Sequence, residues 1–309
     1  MVYLVFAVGL VLLFLGGEVL IRGAVALARR FHLSPLVIGV TIVGFGTSTP
    51  ELLVALQSAL AGAPALALGN VIGSNIANIL LILGLAALIM PVPLPLNVMR
   101  RDFAVMIGAT LMLWAMLAGG VLARWEGAVL VAGLVAYLWI SLRGAKPAAA
   151  TTVNVELPPA MALWRALLLT LAGLGALMLG ARLLVGSATL IARDFGVSEA
   201  VIGLTVLAVG TSLPELATAI LAALRRHPEI AVGNILGSNV FNILGILGIT
   251  ALVTPIPVEP RFAGFDIGLA LAAALSFLAF AALPARVGRI AGGGYLVSYL
   301  GYVLWLGLG

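Results

Sequence analysis

The chain has no cysteine, which excludes disulfides and thiolate-held metals. Charge is nearly as scarce: Asp, Glu, Lys and Arg make up 9% of 309 residues, where a soluble domain carries about a quarter. Only two histidines are present, so general bases and nitrogen ligands are in short supply. Sustained amphipathic periodicity is also missing, and the apolar runs offer no pattern around which a water-soluble core could fold. What fills the chain is apolar: 63% hydrophobic residues and a mean hydropathy of +1.25. The pattern is one of stacked spans of about 20 residues with short connections, which predicts an all-α integral membrane protein. A net charge of +5 and a pI near 10.2 would suggest nucleic acid as partner of a soluble protein. In a bilayer the same excess is what Arg-rich cytoplasmic loops produce, and no nucleic-acid partner is expected. No charged leader with a small-residue cleavage site precedes the first apolar run, which is expected to be the first helix of the mature chain.

Reading apolar stretches between charge and Pro/Gly punctuation predicts ten transmembrane helices. They lie near 2–28, 35–61, 66–90, 103–119, 125–142, 161–192, 198–224, 230–253, 262–283 and 289–308. The one sizeable connection, 143–160, has the Ala, Thr, Pro, Asn and Glu content of a flexible linker and divides the chain into halves 1–142 and 161–309. With the N-terminus outside, twelve of the sixteen basic residues fall in inside loops and four outside. The expectation is therefore a multi-pass protein of the cytoplasmic membrane with both termini out and a cytoplasmic linker.

The two halves align without a gap at an offset of 164 residues. Gly46-Thr47-Ser48-Thr49-Pro50-Glu51 matches Gly210-Thr211-Ser212-Leu213-Pro214-Glu215. Downstream, Gly69-Asn70-Val71-Ile72-Gly73-Ser74-Asn75-Ile76-Ala77-Asn78 matches Gly233-Asn234-Ile235-Leu236-Gly237-Ser238-Asn239-Val240-Phe241-Asn242. Matched points are five spans apart, an odd number, so the copies cross the membrane in opposite directions. Inverted repeats of this kind are a design of secondary transporters.

Glu51 and Glu215 sit near the middle of long apolar stretches, where a carboxylate without compensation costs roughly 2.5–3.5 kcal/mol or more. A bound cation is the direct candidate to offset that cost. Thr47 lies one helical turn before Glu51, with Ser48 beside it. Asn70, Ser74 and Asn78 form a stripe on the next span, and Asn234, Ser238 and Asn242 repeat it. Pro50 and Pro214 lack an N–H, which deprives the carbonyls of Gly46 and Gly210 of their helical partner. Carbonyls freed at the end of a half-helix favour cations. Hard oxygen donors without nitrogen or sulfur suit Ca²⁺ and argue against zinc or copper.

Other readings of the same residues stand beside this one. Ser-x-Pro-Glu is also a capping box for a restarted helix, although capping does not explain a break at mid-membrane depth twice. The Ser and Asn stripes could serve interhelical hydrogen bonding. Asn70, Asn75, Asn234 and Asn239 are open between structure and ligation, and Gly69/Gly73 and Gly233/Gly237 suit close helix packing. Glu18 and Arg182 occupy matching positions, where interfacial snorkelling is expected over gating. His32 and His227 fall in inside loops beside Arg. An intramembrane hydrolase could use Ser48 or Ser212, but no base lies at their depth. A cation channel has little need for inverted repeats.

On these motifs the sequence resembles the Na⁺/Ca²⁺ exchanger family of the cation/Ca²⁺ antiporter superfamily, in its prokaryotic ten-helix form. The resemblance covers nearly the whole chain, including both alpha-repeats (44–84 and 208–248). It implies a non-enzymatic antiporter with no cofactor, acting as a monomer in the lipid bilayer on Na⁺ and Ca²⁺. The second and third helices of each half would line the site, and the long first and sixth helices would slide to alternate access. Side-chain ligands would be Thr47, Ser48, Glu51, Ser74 and Asn78, with Thr211, Ser212, Glu215, Ser238 and Asn242. Backbone carbonyl ligands would lie near Gly44 and Ala208. Some members, including K⁺ cotransporters, carry Asp where this chain has Asn242, which leans against K⁺ dependence. The proton-coupled branch has Glu where Gly73 and Gly237 stand, which leans against H⁺ coupling.

Overall fold

The computed structural model describes residues 1–31, 33–92, 96–143, 161–196, 210–282 and 286–308. His32, Ala208 and nearly all of the 143–160 linker lie outside the described residues. Ten helices account for almost everything else: α1 (Val2–Arg30), α2 (Pro35–Leu60), α3 (Ala65–Ile89), α4 (Leu96–Leu117), α5 (Arg124–Arg143), α6 (Leu163–Asp194), α7 (Leu213–Leu224), α8 (Pro228–Val253), α9 (Phe262–Ala282) and α10 (Arg289–Leu308). Among the described residues seven of them, all but α4, α7 and α10, are long and apolar enough to cross a membrane. Positions 198–209 of the expected seventh span lie outside the described residues. The protein is an all-helical, multi-pass membrane protein.

Local chemistry explains the interruptions. α2 starts at Pro35, whose missing N–H costs nothing at a first turn, and the Ser34 hydroxyl accepts the amide of Val37 at 3.3 Å. It then passes through a π-helical segment, Gly39–Val43, and breaks at Ser48. Ser48 has φ −82° and ψ 9°, off the helical values, and Pro50 opens the second half-helix. The same break recurs at Ser212, with φ −87° and ψ 8°, ahead of Pro214 and α7. α3 and α8 carry π-helical segments at Asn78–Leu83 and Phe241–Leu247. Irregular backbone at this depth is tolerated where protein or a water-lined cavity surrounds it.

α1 and α6 lie against each other antiparallel, with Gly16 beside Leu177 and Gly173 beside Leu20. A Cβ on Gly16 would stand 2.8 Å from the Leu177 amide nitrogen, and one on Gly173 2.5 Å from that of Leu20. Only backbones without side chains can approach so closely. This pair flanks the inner helices, of which α3 and α8 are the most buried, at 72% and 83%, against 33% for α1 and 28% for α6. Two short extended pairings tie the outer helices: Val121–Leu122 runs antiparallel to Ile256–Pro257, and Val92 bridges Val287. Val92 and Ile256 are related by the 164-residue offset.

One element departs from expectation. α4 begins at Leu96, well before the expected 103, so Arg100, Arg101 and Asp102 belong to the helix. Charge at 100–102 marks a loop by sequence alone, but tertiary partners accommodate it in the helix. Asp102, 2% exposed, accepts the Tyr137 hydroxyl at 2.9 Å, and Arg101 reaches the Ile140 carbonyl at 3.2 Å. Asp266 is likewise buried, accepting Tyr302 at 3.0 Å and Arg261 at 2.8 Å. Buried carboxylates are therefore not confined to Glu51 and Glu215. These two aspartates also match at the offset, each tied to a Tyr of the following helix.

Candidate cation site

The break in α2 at Ser48 and the turn at Ser212 that opens α7 bring the two repeated motifs together. Glu51 and Glu215 are each 1% exposed. The Ser48 hydroxyl donates to Glu215 Oε1 at 2.9 Å, a direct bond between the two halves. Ser212, the repeat partner of Ser48, is 2% exposed. Thr47, Ser74, Asn78, Ser238 and Asn242 are all buried. Asn78 opens its π-helical segment and Asn242 lies in the equivalent one.

Several polar groups are committed to holding this arrangement. Thr47 Oγ1 donates to Asn234 Oδ1 at 3.0 Å, and Asn234 Nδ2 to the Glu215 carbonyl at 3.4 Å. Asn242 Nδ2 donates to Asn75 Oδ1 at 2.9 Å, while Asn75 Nδ2 reaches the Asn239 carbonyl at 3.3 Å. The Gly44 carbonyl accepts from Ser238 Oγ at 3.1 Å and from Thr47 Oγ1 at 3.3 Å. Asn75 and Asn234 thus act as brackets between helices. Gly237 permits this approach, because a Cβ there would collide with the Val40 carbonyl.

Other oxygens have no such commitment. Glu51 Oε2, Glu215 Oε2, Asn78 Oδ1, Asn242 Oδ1, Thr211 Oγ1 and Ser212 Oγ are buried without a hydrogen-bond partner among the described residues. Buried polar atoms are normally satisfied, so these oxygens of the repeated motifs, drawn from both halves, are an acceptor-rich set; the side chains of Asn239, Thr218 and Thr250 are likewise buried without a partner. No cluster of three or more His, Cys, Asp or Glu side chains occurs among the described residues. The donor set is two carboxylates supplemented by amide and hydroxyl oxygens.

Two cavities flank the described helices, one of about 410 Å³ lined by Glu18, Arg22, Arg225 and His227. The second, of about 440 Å³, is lined by Pro50, Val54, Asn70, Thr211 and a face of α6. Thr211 and Asn70 are partly exposed, whereas their repeat partners Thr47 and Asn234 are each 0% exposed. On the α1 side, Leu221 packs directly onto Gly17. The sequence motifs are symmetric, but the packing around them is not.

Comparison with known proteins follows the same lines. The family model described as sodium/calcium exchanger protein matches residues 1–143 and 165–308. CaxA of Alkalimonas amylolytica is 38% identical over 303 residues, covering 96% of this chain and 95% of its own. The inner membrane protein YrbG of Escherichia coli (strain K12) is 37% identical over 316 residues, covering 97% and 95%. The sodium-calcium exchanger NCX_Mj, soaked with zero Na⁺ and Ca²⁺, superposes with a TM-score of 0.87 at 31% identity, covering 99% of this chain and 100% of its own. Fold, paired motifs and full-length similarity agree, and this chain belongs to the sodium/calcium exchanger family of membrane transporters.

Proposed function

We propose that this protein is a Na⁺/Ca²⁺ antiporter that works by alternating access and extrudes Ca²⁺ electrogenically. The observation that carries this reading is the set of buried, unpartnered oxygens on the repeated motifs, those of Glu51 and Glu215 among them. In this reading Thr47, Ser48, Glu51, Ser74 and Asn78, with Thr211, Ser212, Glu215, Ser238 and Asn242, hold the ions. Carbonyls near Gly44 and Ala208 assist; that of Gly44 would exchange its hydroxyl hydrogen bonds for an ion. The sodium-calcium exchange named for NCX_Mj and for the matching family supports the choice of ions.

Two carboxylates are neutralised by one Ca²⁺ or by two Na⁺. Both ions call on the same oxygens, so their occupancy is mutually exclusive, and that competition couples the fluxes. A filled site crosses as a compensated unit, while two bare carboxylates facing each other in a low dielectric hold the empty protein back. Both termini are placed outside on the basic-residue asymmetry, in the cytoplasmic membrane, as the name of YrbG suggests. One chain supplies both halves of the site, so a monomer suffices.

The test is uptake of radiolabelled Ca²⁺ into proteoliposomes with Na⁺ and pH gradients imposed separately. An outward Na⁺ gradient is expected to drive uptake and a pH gradient to leave it unchanged. Uptake driven by the pH gradient alone would replace this reading with H⁺/Ca²⁺ exchange. Ca²⁺ entry with no counter-ion would replace it with a channel.

A further inference from the structure

The inverted repeat breaks its own symmetry at one charged position. Arg182 on α6 and Glu18 on α1 are separated by the 164-residue offset, so evolution of the two copies has placed opposite charges at equivalent points. Their surroundings differ as much as their signs. Glu18 is 12% exposed and held by Arg22 at 2.8 Å and Arg225 at 2.6 Å, so its charge is compensated locally. Arg182 is exposed and makes no hydrogen bond or ion pair among the described residues. It belongs to a helical stripe with Met178, Ala181 and Val185 that forms one wall of the 440 Å³ cavity. Thr211, whose Oγ1 is buried without a partner, lines the same cavity.

We infer that Arg182 is a valence filter on the outward path to the cation site, a role that rests on the antiport reading above. A fixed positive charge on the path disfavours a cation by a Boltzmann factor whose exponent scales with the ion's charge. A field that lowers Na⁺ occupancy about twofold therefore lowers Ca²⁺ occupancy about fourfold, the square of the first factor. In the orientation proposed, α6 runs from inside to outside, and Arg182 lies in its outer half. The filter then weakens Ca²⁺ rebinding from outside more than Na⁺ binding, which favours unloading Ca²⁺ on the side where it is abundant. None of the residues proposed to hold the ions is altered by this device, since Arg182 acts through the field and ligates nothing.

The experiment compares wild type, Arg182→Lys, Arg182→Gln and Arg182→Glu in right-side-out and inside-out membrane vesicles. From outside, Arg182→Gln is expected to lower the half-saturating Ca²⁺ concentration about fourfold and that of Na⁺ about twofold. Arg182→Glu should roughly square both changes, and Arg182→Lys should match wild type. On logarithmic axes the Ca²⁺ shifts plotted against the Na⁺ shifts should fall on a slope near two, and added choline chloride should shrink them. Values measured from the inside face should move far less. Unchanged external values in Arg182→Gln, equal shifts for the two ions, or equal shifts from both faces would overturn the inference. If wild-type vesicles show no Na⁺-dependent Ca²⁺ flux, the antiport reading fails first and this one with it.

Discussion

At the scale of single residues, the site is governed by which oxygens are committed and which are not. Glu51→Gln and Glu215→Gln each remove one of two anionic centres facing a divalent ion. Losing one charge of a buried pair costs about 3 kcal/mol or more, so Ca²⁺ flux in proteoliposomes is expected to fall at least about a hundredfold. Wild-type exchange in both variants would refute the assignment. Ser48→Ala tests a subtler point, because its hydroxyl bonds Glu215 at 2.9 Å. A hydrogen bond to a charged group contributes about 1.5–3 kcal/mol, so half-saturating Ca²⁺ should rise roughly tenfold or more while the protein still folds. Asn242→Asp adds a third carboxylate, and Ca²⁺ flux in that variant is expected to become K⁺-sensitive when K⁺ is titrated into the assay. The carboxylates, hydroxyls and stripe asparagines were legible in sequence because the motif is written twice and a mid-span charge demands a partner. The division of labour was not. Asn75 and Asn78 look alike in sequence, yet Asn75 is spent on bridging Asn239 and Asn242, whereas Asn78 keeps a free carbonyl oxygen.

At the scale of elements, helices that look continuous in hydropathy are built with deliberate faults. The breaks at Ser48 and Ser212 followed from proline chemistry, but the π-helical segments at Asn78–Leu83 and Phe241–Leu247 carry no local signature. An extra residue per turn is set by what packs around it rather than by its own sequence. The start of α4 shows the same limit, since Arg101 and Asp102 enter the helix only because Ile140 and Tyr137 of α5 receive them. Tyr137→Phe and Tyr302→Phe should therefore lower the melting temperature in detergent by several degrees, the effect of losing about 1.5–3 kcal/mol of hydrogen bonding to a buried carboxylate. Half-saturating Ca²⁺ should stay at the wild-type value, and a large change there would mean that these pairs belong to the transport path. Gly16→Val tests the α1–α6 contact. Its Cβ alone meets backbone at 2.8 Å, and overpacking of about 1–3 kcal/mol is expected to show as reduced thermal stability.

At the scale of the whole molecule, Thr211 borders a cavity of about 440 Å³ while its repeat partner Thr47 is fully buried, so the two halves are packed unequally. If three Na⁺ exchange for one Ca²⁺, each cycle carries one net charge, worth about 2.3 kcal/mol per 100 mV. An inside-positive potential imposed on Na⁺-loaded proteoliposomes should then accelerate Ca²⁺ uptake, and indifference to potential would indicate two Na⁺ per Ca²⁺.

What sequence alone determined was class, span count and the identity of the repeated polar residues. Each of these follows from solvent: a bilayer tolerates neither stray charge nor unpaired backbone, so exceptions stand out against an apolar background. Tertiary structure alone decided which of those polar groups bond to each other, which remain uncommitted, and which of them border a cavity. Two copies of one motif are chemically equal on paper. Only packing, with Leu221 on Gly17 at one side and a cavity beside Thr211 at the other, makes them unequal.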